Sequence, residues 1–201
     1  SNVYALKKLA EEKGNINVCN LGLMNLSLSK KMLSEASKNK IMVKEAGLAE
    51  DPQLKTNIER AQKIALDAGV KDNLKFMQWD VSNPLTEKFD FVACFDLIHD
   101  MIDPLEGMKT IRKAVKDDGI FVLMDIKCED DPADNEGPMV PFMYAMSLHF
   151  CMTTSLANNG AGLGTVGLPE AKIREYCDLV GFKTVKRIET AVSYTHLRAH
   201  E

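Results

Sequence analysis

Short apolar runs alternate along this chain with stretches whose apolar residues recur every three or four positions. The first pattern belongs to strands and the second to helices, and their alternation predicts β-α-β units around a parallel sheet. Residues 16–22 read as a first strand, and Leu26, Met32, Leu33 and Ala36 after it can share one helical face. Residues 40–45 form a short second strand. Asp51 then caps a helix with Pro52 in its first turn, and Leu54, Ile58, Ala61, Ala65 and Ala68 repeat at helical spacing until Gly69 ends it.

Residues 73–79 and 89–95 are the third and fourth strands. Asp103-Pro104-Leu105-Glu106 opens the next helix with an acidic cap and a Glu three residues on, and Leu105, Met108, Ile111 and Val115 make its apolar face. Asp117-Asp118-Gly119 reads as a turn into a fifth strand at 120–126. The fourth and fifth strands are almost continuously apolar, as central parallel strands covered on both faces should be. The rhythm breaks over 127–167, with an acidic loop (129–136), a Met- and aromatic-rich run (139–152) and a Gly-rich run (158–167). A helix restarts at Pro169, buries Ile173, Tyr176, Cys177 and Val180, and stops at Gly181 before a sixth strand at 183–189. The fold class expected is α/β: a doubly wound, mostly parallel sheet with helices on both faces.

Composition narrows the picture. A chain of 201 residues suits one domain with one sizeable core. The net charge is −4 and the basic residues are scattered among acids, whereas phosphate binding needs a concentrated basic face. Cys19, Cys94, Cys128, Cys151 and Cys177 are odd in number and form no C-x-x-C pair, which favours buried thiols in a reducing compartment over a disulfide or zinc scaffold. The least polar stretch, 138–152, is too short to span a bilayer and carries His149. A cytoplasmic chain with no nucleic-acid and no membrane partner is expected.

The two ends look unlike natural ends. The chain opens on Ser1 without a Met and reads as a fragment, and residues 192–201, V-S-Y-T-H-L-R-A-H-E, look like a translated transposase adapter from library preparation. On that reading the domain is 1–191 and the tail is artefactual. His196-x-x-x-His200 has the i, i+4 spacing of helical metal ligands but falls in the tail, so no metal is expected.

The stretches F-D-F-V-A-C-F-D-L-I-H-D-M-I-D-P, H-F-C-M-T and G-A-G-L-G-T-V-G, set on five strand–helix units, an insertion, a helix and a strand, resemble class I S-adenosylmethionine-dependent methyltransferases. The resemblance covers about residues 14–190 and is to the group with a winged-helix segment before the catalytic domain. It implies a last, antiparallel strand, which here is missing or replaced by the tail, so an unpaired sheet edge is expected to favour aggregation.

What the resemblance implies for the site follows strand by strand, because ligands in this fold sit at the carboxyl ends of strands. After the first strand a G-x-G-x-G turn should let the backbone approach the cofactor, but Asn20-Leu21-Gly22-Leu23-Met24-Asn25-Leu26 keeps only Gly22. Asn20 stands where the family has an acid. Glu45 is the candidate for the ribose hydroxyls, with Asp51 its rival. Asp80 and Val81 would meet the adenine, and Phe95 and Asp96 would floor the site. His99 matches the proton-accepting residue of plant-type O-methyltransferases, a task suited to an imidazole that titrates near neutrality, and His149 is a second candidate base. Met143, Tyr144, Met146 and Met152, with His149, Phe150 and Cys151, would line an adaptable acceptor pocket in the 127–167 insertion.

Methyl transfer from S-adenosylmethionine to a small-molecule acceptor, at oxygen, is the function implied, with homodimer formation left open. Two other classes compete. A binding or scaffold domain that has lost its cofactor would explain the reduced first loop. A nicotinamide-dependent oxidoreductase predicts G-x-G-x-x-G after the first strand, which is not there.

Overall fold

The structure is a computed structural model and describes residues 9, 11–14, 16–22, 41–46, 52–67, 69, 71–79, 83–188 and 194–200. The strands are β1 (Val18–Gly22), β2 (Ile41–Ala46), β3 (Leu74–Trp79), β4 (Phe89–Phe95), β5 (Val115–Ile126), β6 (Thr184–Arg187) and β7 (Tyr194–His200). They form one sheet in the order β3-β2-β1-β4-β5-β7-β6. β1 to β5 pair in parallel, and β7 runs antiparallel between β5 and β6. The helices are α1 (Pro52–Asp67), α2 (Pro104–Ala114), α3 (Val140–Met146), α4 (Met152–Ala157) and α5 (Glu170–Leu179). The expected doubly wound α/β architecture is the one observed.

Period-two alternation on the central strands feeds two cores. Cys19, Val92, Cys94, Phe121 and Leu123 belong to the larger, which α2 and α5 join through Met108, Ile111, Ile173 and Cys177. Val18, Phe91, Ala93, Ile120 and Val122 belong to the smaller. That is why β4 and β5 read as unbroken apolar runs. All five cysteines are buried, as their reading as small hydrophobes requires. No described helix is long and apolar enough to cross a membrane.

Two expectations change. The turn at 117–119 does not precede β5 but lies within it. Phe89 pairs with Val115 and Phe91 with Ile120, so three extra residues of β5 are taken up in one irregularity. Burial of Val115 anchors the early start, and the bend needs Gly119, where a Cβ would sit 2.8 Å from Val115 Cγ1. The sheet edge is also not left open. Tyr194–His200 pairs along β5 from Phe121 to Ile126 and along β6 from Thr184 to Arg187. The segment Y-T-H-L-R-A-H alternates with strand period, and its register sets Leu197 opposite Leu123 and Ala199 opposite Phe121. His196 and His200 therefore lie about 13 Å apart along a strand rather than on one helical turn.

Candidate active site

The carboxyl ends of β1, β2, β4 and β5 lie side by side, with the order reversing between β1 and β4. Such a reversal leaves a crevice above the sheet, where ligands bind in open α/β folds. Gly22 pairs with Phe95, Asn20 with Val43 and Ala93, and Glu45 with Gln78, so these candidates stand at neighbouring strand ends. Residues 23–40, Asp51, Asp80 and Val81 lie outside the described residues.

Beyond Phe95 the chain turns sharply. Asp96 adopts φ 53°, a left-handed conformation that costs a non-glycine residue about 1 kcal/mol or more, and its N–H donates to Met124 O at 2.8 Å. A 3-10 turn, Ile98–Asp100, follows and drives Ile98 and His99 into the core. His99 is 3% exposed and Asp125 0%. Asp125 sits on the same face of β5 as Phe121 and Leu123, near the strand's end. Its Oδ1 lies 2.7 Å from His99 Nδ1 and also accepts the Ile126 N–H at 2.8 Å. On the other side of the ring, His99 Nε2 is 3.3 Å from Asp100 Oδ1. Cys151 Sγ is within hydrogen-bonding reach of the imidazole and shares a hydrogen bond of 3.1 Å with Thr165 Oγ1.

Burial alone would lower the pKa of His99. Hydrogen bonds to Asp125 and Cys151, with the charges of Asp125 and Asp100, outweigh it and push the imidazole up to about 11. The imidazole expected to titrate near neutrality therefore holds its proton more tightly in this setting. Asp96 is raised by its own burial above all; the charge of His99 lowers it, and Asp125 and Asp100 raise it further. Three carboxyl oxygens here are buried with no hydrogen-bond partner: Asp96 Oδ1, Asp100 Oδ1 and Asp125 Oδ2. Buried acceptors are nearly always paired in native proteins, so this group suits a ligand that brings positive charge or N–H donors. A sulfonium and an ammonium both qualify.

The insertion closes over this turn in an unexpected way. α3 and α4 are one run joined by a π turn, Ser147–Cys151, whose wider winding holds Ser147 and Cys151 inward and leaves His149 exposed. The inward stripe is Ser147, Cys151 and Ser155, small and polar. Met143, Tyr144 and Met152 are half-buried, and Met146, Phe142 and Phe150 are exposed. Tyr144 is tied instead to the acidic loop, its hydroxyl donating to Pro132 O at 2.6 Å and accepting from Asn135 at 3.0 Å. A cleft of about 470 Å³ opens beside that loop, lined by Glu129, Asp130, Leu163, Val166 and Lys172 and by none of the four predicted acceptor-contacting residues.

The Gly-rich run explains the small stripe. A Cβ on Gly160 would collide with Ser155 Oγ, and one on Gly164 with Ser147 Oγ, so the loop backbone lies directly on the helix. Gly162 N donates to Ser155 Oγ, Ser155 Oγ to Met101 O, and Ala161 N to Ile102 O at 2.8 Å. The insertion therefore clamps the chain that carries His99. Sequence reading missed Asp125, Cys151 as a partner of His99, and Thr165. Asp125 left one signal, an acid inside the apolar run I-F-V-L-M-D-I.

Residues 54–157 match the family described as Methyltransferase domain. No curated protein sequence matches the chain. Among solved structures it resembles the citrinin polyketide synthase CMeT domain (TM-score 0.72, 13% identity, covering 99% of this chain and 51% of that one). It also resembles an O-methyltransferase family 2 protein from Planctomyces limnophilus in complex with apigenin (0.66, 14%, 92% and 51%). PigF with SAH is similar to the same degree (0.64, 15%, 92% and 50%). Identities this low establish likeness of fold alone, and the chain spans about half the length of each of these structures.

Proposed function

The chain belongs to the methyltransferase domain family, and from that premise we propose that it moves a methyl group from S-adenosylmethionine to a small, largely apolar acceptor, at an oxygen. The observation that carries this reading is the buried His99–Asp125 pair at the carboxyl ends of β4 and β5, with unpartnered carboxyl oxygens beside it. Asn20, Gly22, Glu45, Phe95 and Asp96 would hold the cofactor, with Asp80 and Val81, and the fit rests on the orphaned Asp96 oxygen. When bound, the cofactor supplies a methyl carbon made electrophilic by its sulfonium. SAH, the product left after such a transfer, is held by a fold neighbour, and another neighbour is bound to apigenin, a phenol.

The remaining work falls to side chains of this chain. An acceptor hydroxyl must shed its proton as it attacks; His99 would take it at Nε2 once the resting ring has given its own Nε2 proton to solvent, and the charge thus formed against Asp125 would stay beside the methylated oxygen. Asp125 fixes the ring by its Nδ1, leaving the Nε2 side for the acceptor. The clamp from α3, α4 and the Gly-rich loop would exclude water. Tritiated methyl transfer to a panel of small phenols, with calorimetric binding of S-adenosylmethionine, tests the proposal. Binding with transfer that fails in His99→Ala supports it. Absence of cofactor binding favours the second reading, a scaffold domain, which the single glycine of the first loop motivates. Transfer to carbon acceptors alone overturns the choice of oxygen.

A further inference from the structure

The side of His99 that faces away from Asp125 also carries Asp100 and Cys151, to which the methyl-transfer reading assigns no role of their own. His99, Asp100 and Cys151 each offer one donor atom, and the three atoms lie within 4.8 Å of one another. Two are adjacent in sequence and the third comes from the π turn of the insertion. We infer that His99 Nε2, Asp100 Oδ1 and Cys151 Sγ form a binding site for one divalent transition-metal ion, zinc by ligand type, with a coordination position left for the acceptor oxygen. The inference rests on the methyl-transfer reading only for that last role.

Geometry separates this set from the alternative grouping of Asp96, His99 and Asp125. Nitrogen and oxygen ligands about 2.0–2.1 Å from a tetrahedral ion stand about 3.3 Å apart. His99 Nε2 and Asp100 Oδ1 are separated by 3.3 Å. His99 Nδ1 and Asp125 Oδ1, at 2.7 Å, are at hydrogen-bond distance and too close for two ligands of one ion. Asp125 is instead the outer carboxylate that metal-bound histidines characteristically have; it holds Nδ1–H, and an ion entering on the other side would displace the Nε2 proton and take over its positive charge. Thr165 does the same for Cys151, its hydroxyl 3.1 Å from the sulfur.

The surroundings also call for a cation. Asp100 Oδ1 is buried and makes no hydrogen bond, its charged neighbour here being His99 Nε2 at 3.3 Å, and the fully buried Asp125 keeps Oδ2 unpartnered behind the ring. The Asp100 side chain is 27% exposed, so an ion can enter without opening the core. A thiolate, an imidazole and a carboxylate select zinc or cobalt over magnesium or calcium, which prefer all-oxygen sites. An ion there would lower the pKa of a coordinated hydroxyl, giving the acceptor its nucleophilic form at neutral pH.

The test loads chelator-stripped protein with Co²⁺ and reads its absorption spectrum, with no S-adenosylmethionine present. One equivalent per chain with a thiolate-to-cobalt charge-transfer band is expected. Cys151→Ser should abolish that band, and Asp125→Asn should weaken Co²⁺ affinity on the order of 10–100-fold with the band retained. Circular dichroism of each stripped variant checks folding. X-ray absorption of zinc-loaded wild type, expected to show one sulfur at about 2.3 Å among nitrogen and oxygen ligands, needs no variant. No stoichiometric uptake by wild type, or a cobalt spectrum indifferent to Cys151→Ser, overturns the inference. Metal uptake without methyl transfer would leave it standing while sinking the function proposed above. Full transfer by stripped protein that takes up no metal would do the reverse.

Discussion

The two ends of β4 carry buried acids in opposite states. At the amino end, Asp90 is 5% exposed and fully paired: Lys116 Nζ donates to both oxygens at 2.9 Å, the Asn17 N–H to Oδ2 at 2.9 Å, and Lys13 stands 3.9 Å from Oδ1. At the carboxyl end, Asp96, Asp100 and Asp125 together leave three oxygens without a partner around one histidine. The same residue type is satisfied on β4 itself, where it ties that strand to β5 and the chain before β1. It is unsatisfied where the fold puts its ligands. An unpaired buried acceptor costs about 1–3 kcal/mol, so its persistence marks a place shaped for something beyond the chain itself.

The comparison is broken most severely at the carboxyl end. His99→Ala is expected to lower methyl-transfer kcat on the order of 10²–10³-fold. Its urea midpoint should fall as well, because the deletion strips the fully buried Asp125 of its partner. Stability loss without activity loss would reverse the assignment of the two ends. Gly164→Ala should lower both properties: it forces a left-handed residue to carry a Cβ against Ser147 and Met152, at a cost of about 2–4 kcal/mol. An unchanged melting temperature would show that the loop does not clamp the His99 turn.

At the amino end, Asp90→Ala should cost about 1–3 kcal/mol, by orphaning the Asn17 N–H and one face of Lys116, with kcat per folded molecule unchanged. The ends lie about 20 Å apart along the strand. The stability effects of Asp90→Ala and His99→Ala should therefore add to within about 0.5 kcal/mol, and a larger deviation would mean that β4 couples them. The smallest effect sits away from both. Burial holds the Cys177 thiol up at about 12, against an ordinary 9.0, with the charge of Arg174 pulling slightly the other way. Its folded pKa is raised, so the stability it contributes is complete below pH 9 and is lost as pH climbs toward 12. Cys177→Ala should flatten the alkaline fall of the urea midpoint, and parallel curves for the two proteins would refute it.

The sheet was legible from sequence because period-two burial on β4 and β5 is a local pattern, and the Asp103 cap was legible for the same reason; its Oδ1 accepts the Glu106 N–H at 2.9 Å. His99 could be named because the chemistry of L-I-H-D is contiguous. Its partners could not. Asp125 and Cys151 lie 26 and 52 residues further along the chain, and only the parallel pairing of β4 with β5 and the closing of the insertion bring them to the ring. The insertion misled for a physical reason. Its Met and aromatic residues suggested an apolar lining, yet the face turned inward carries Ser147, Cys151 and Ser155, and the Gly160 and Gly164 backbone lies directly on the two serines. Tyr194–His200 fills the edge that was expected to stay unpaired, since a seven-residue alternation is enough to complete a sheet that already offers two partners.

That last strand imposes an inequality on the molecule's breathing. Among the described strands β6 stands at the end of the order, with β7 its one neighbour in the sheet. Any opening that peels Tyr194–His200 from β5 must release Thr184–Arg187 with it, while the converse does not hold. Detached together as a hairpin, β6 and β7 keep their own ladder, so amides between β5 and β7 can exchange while those between β6 and β7 stay protected.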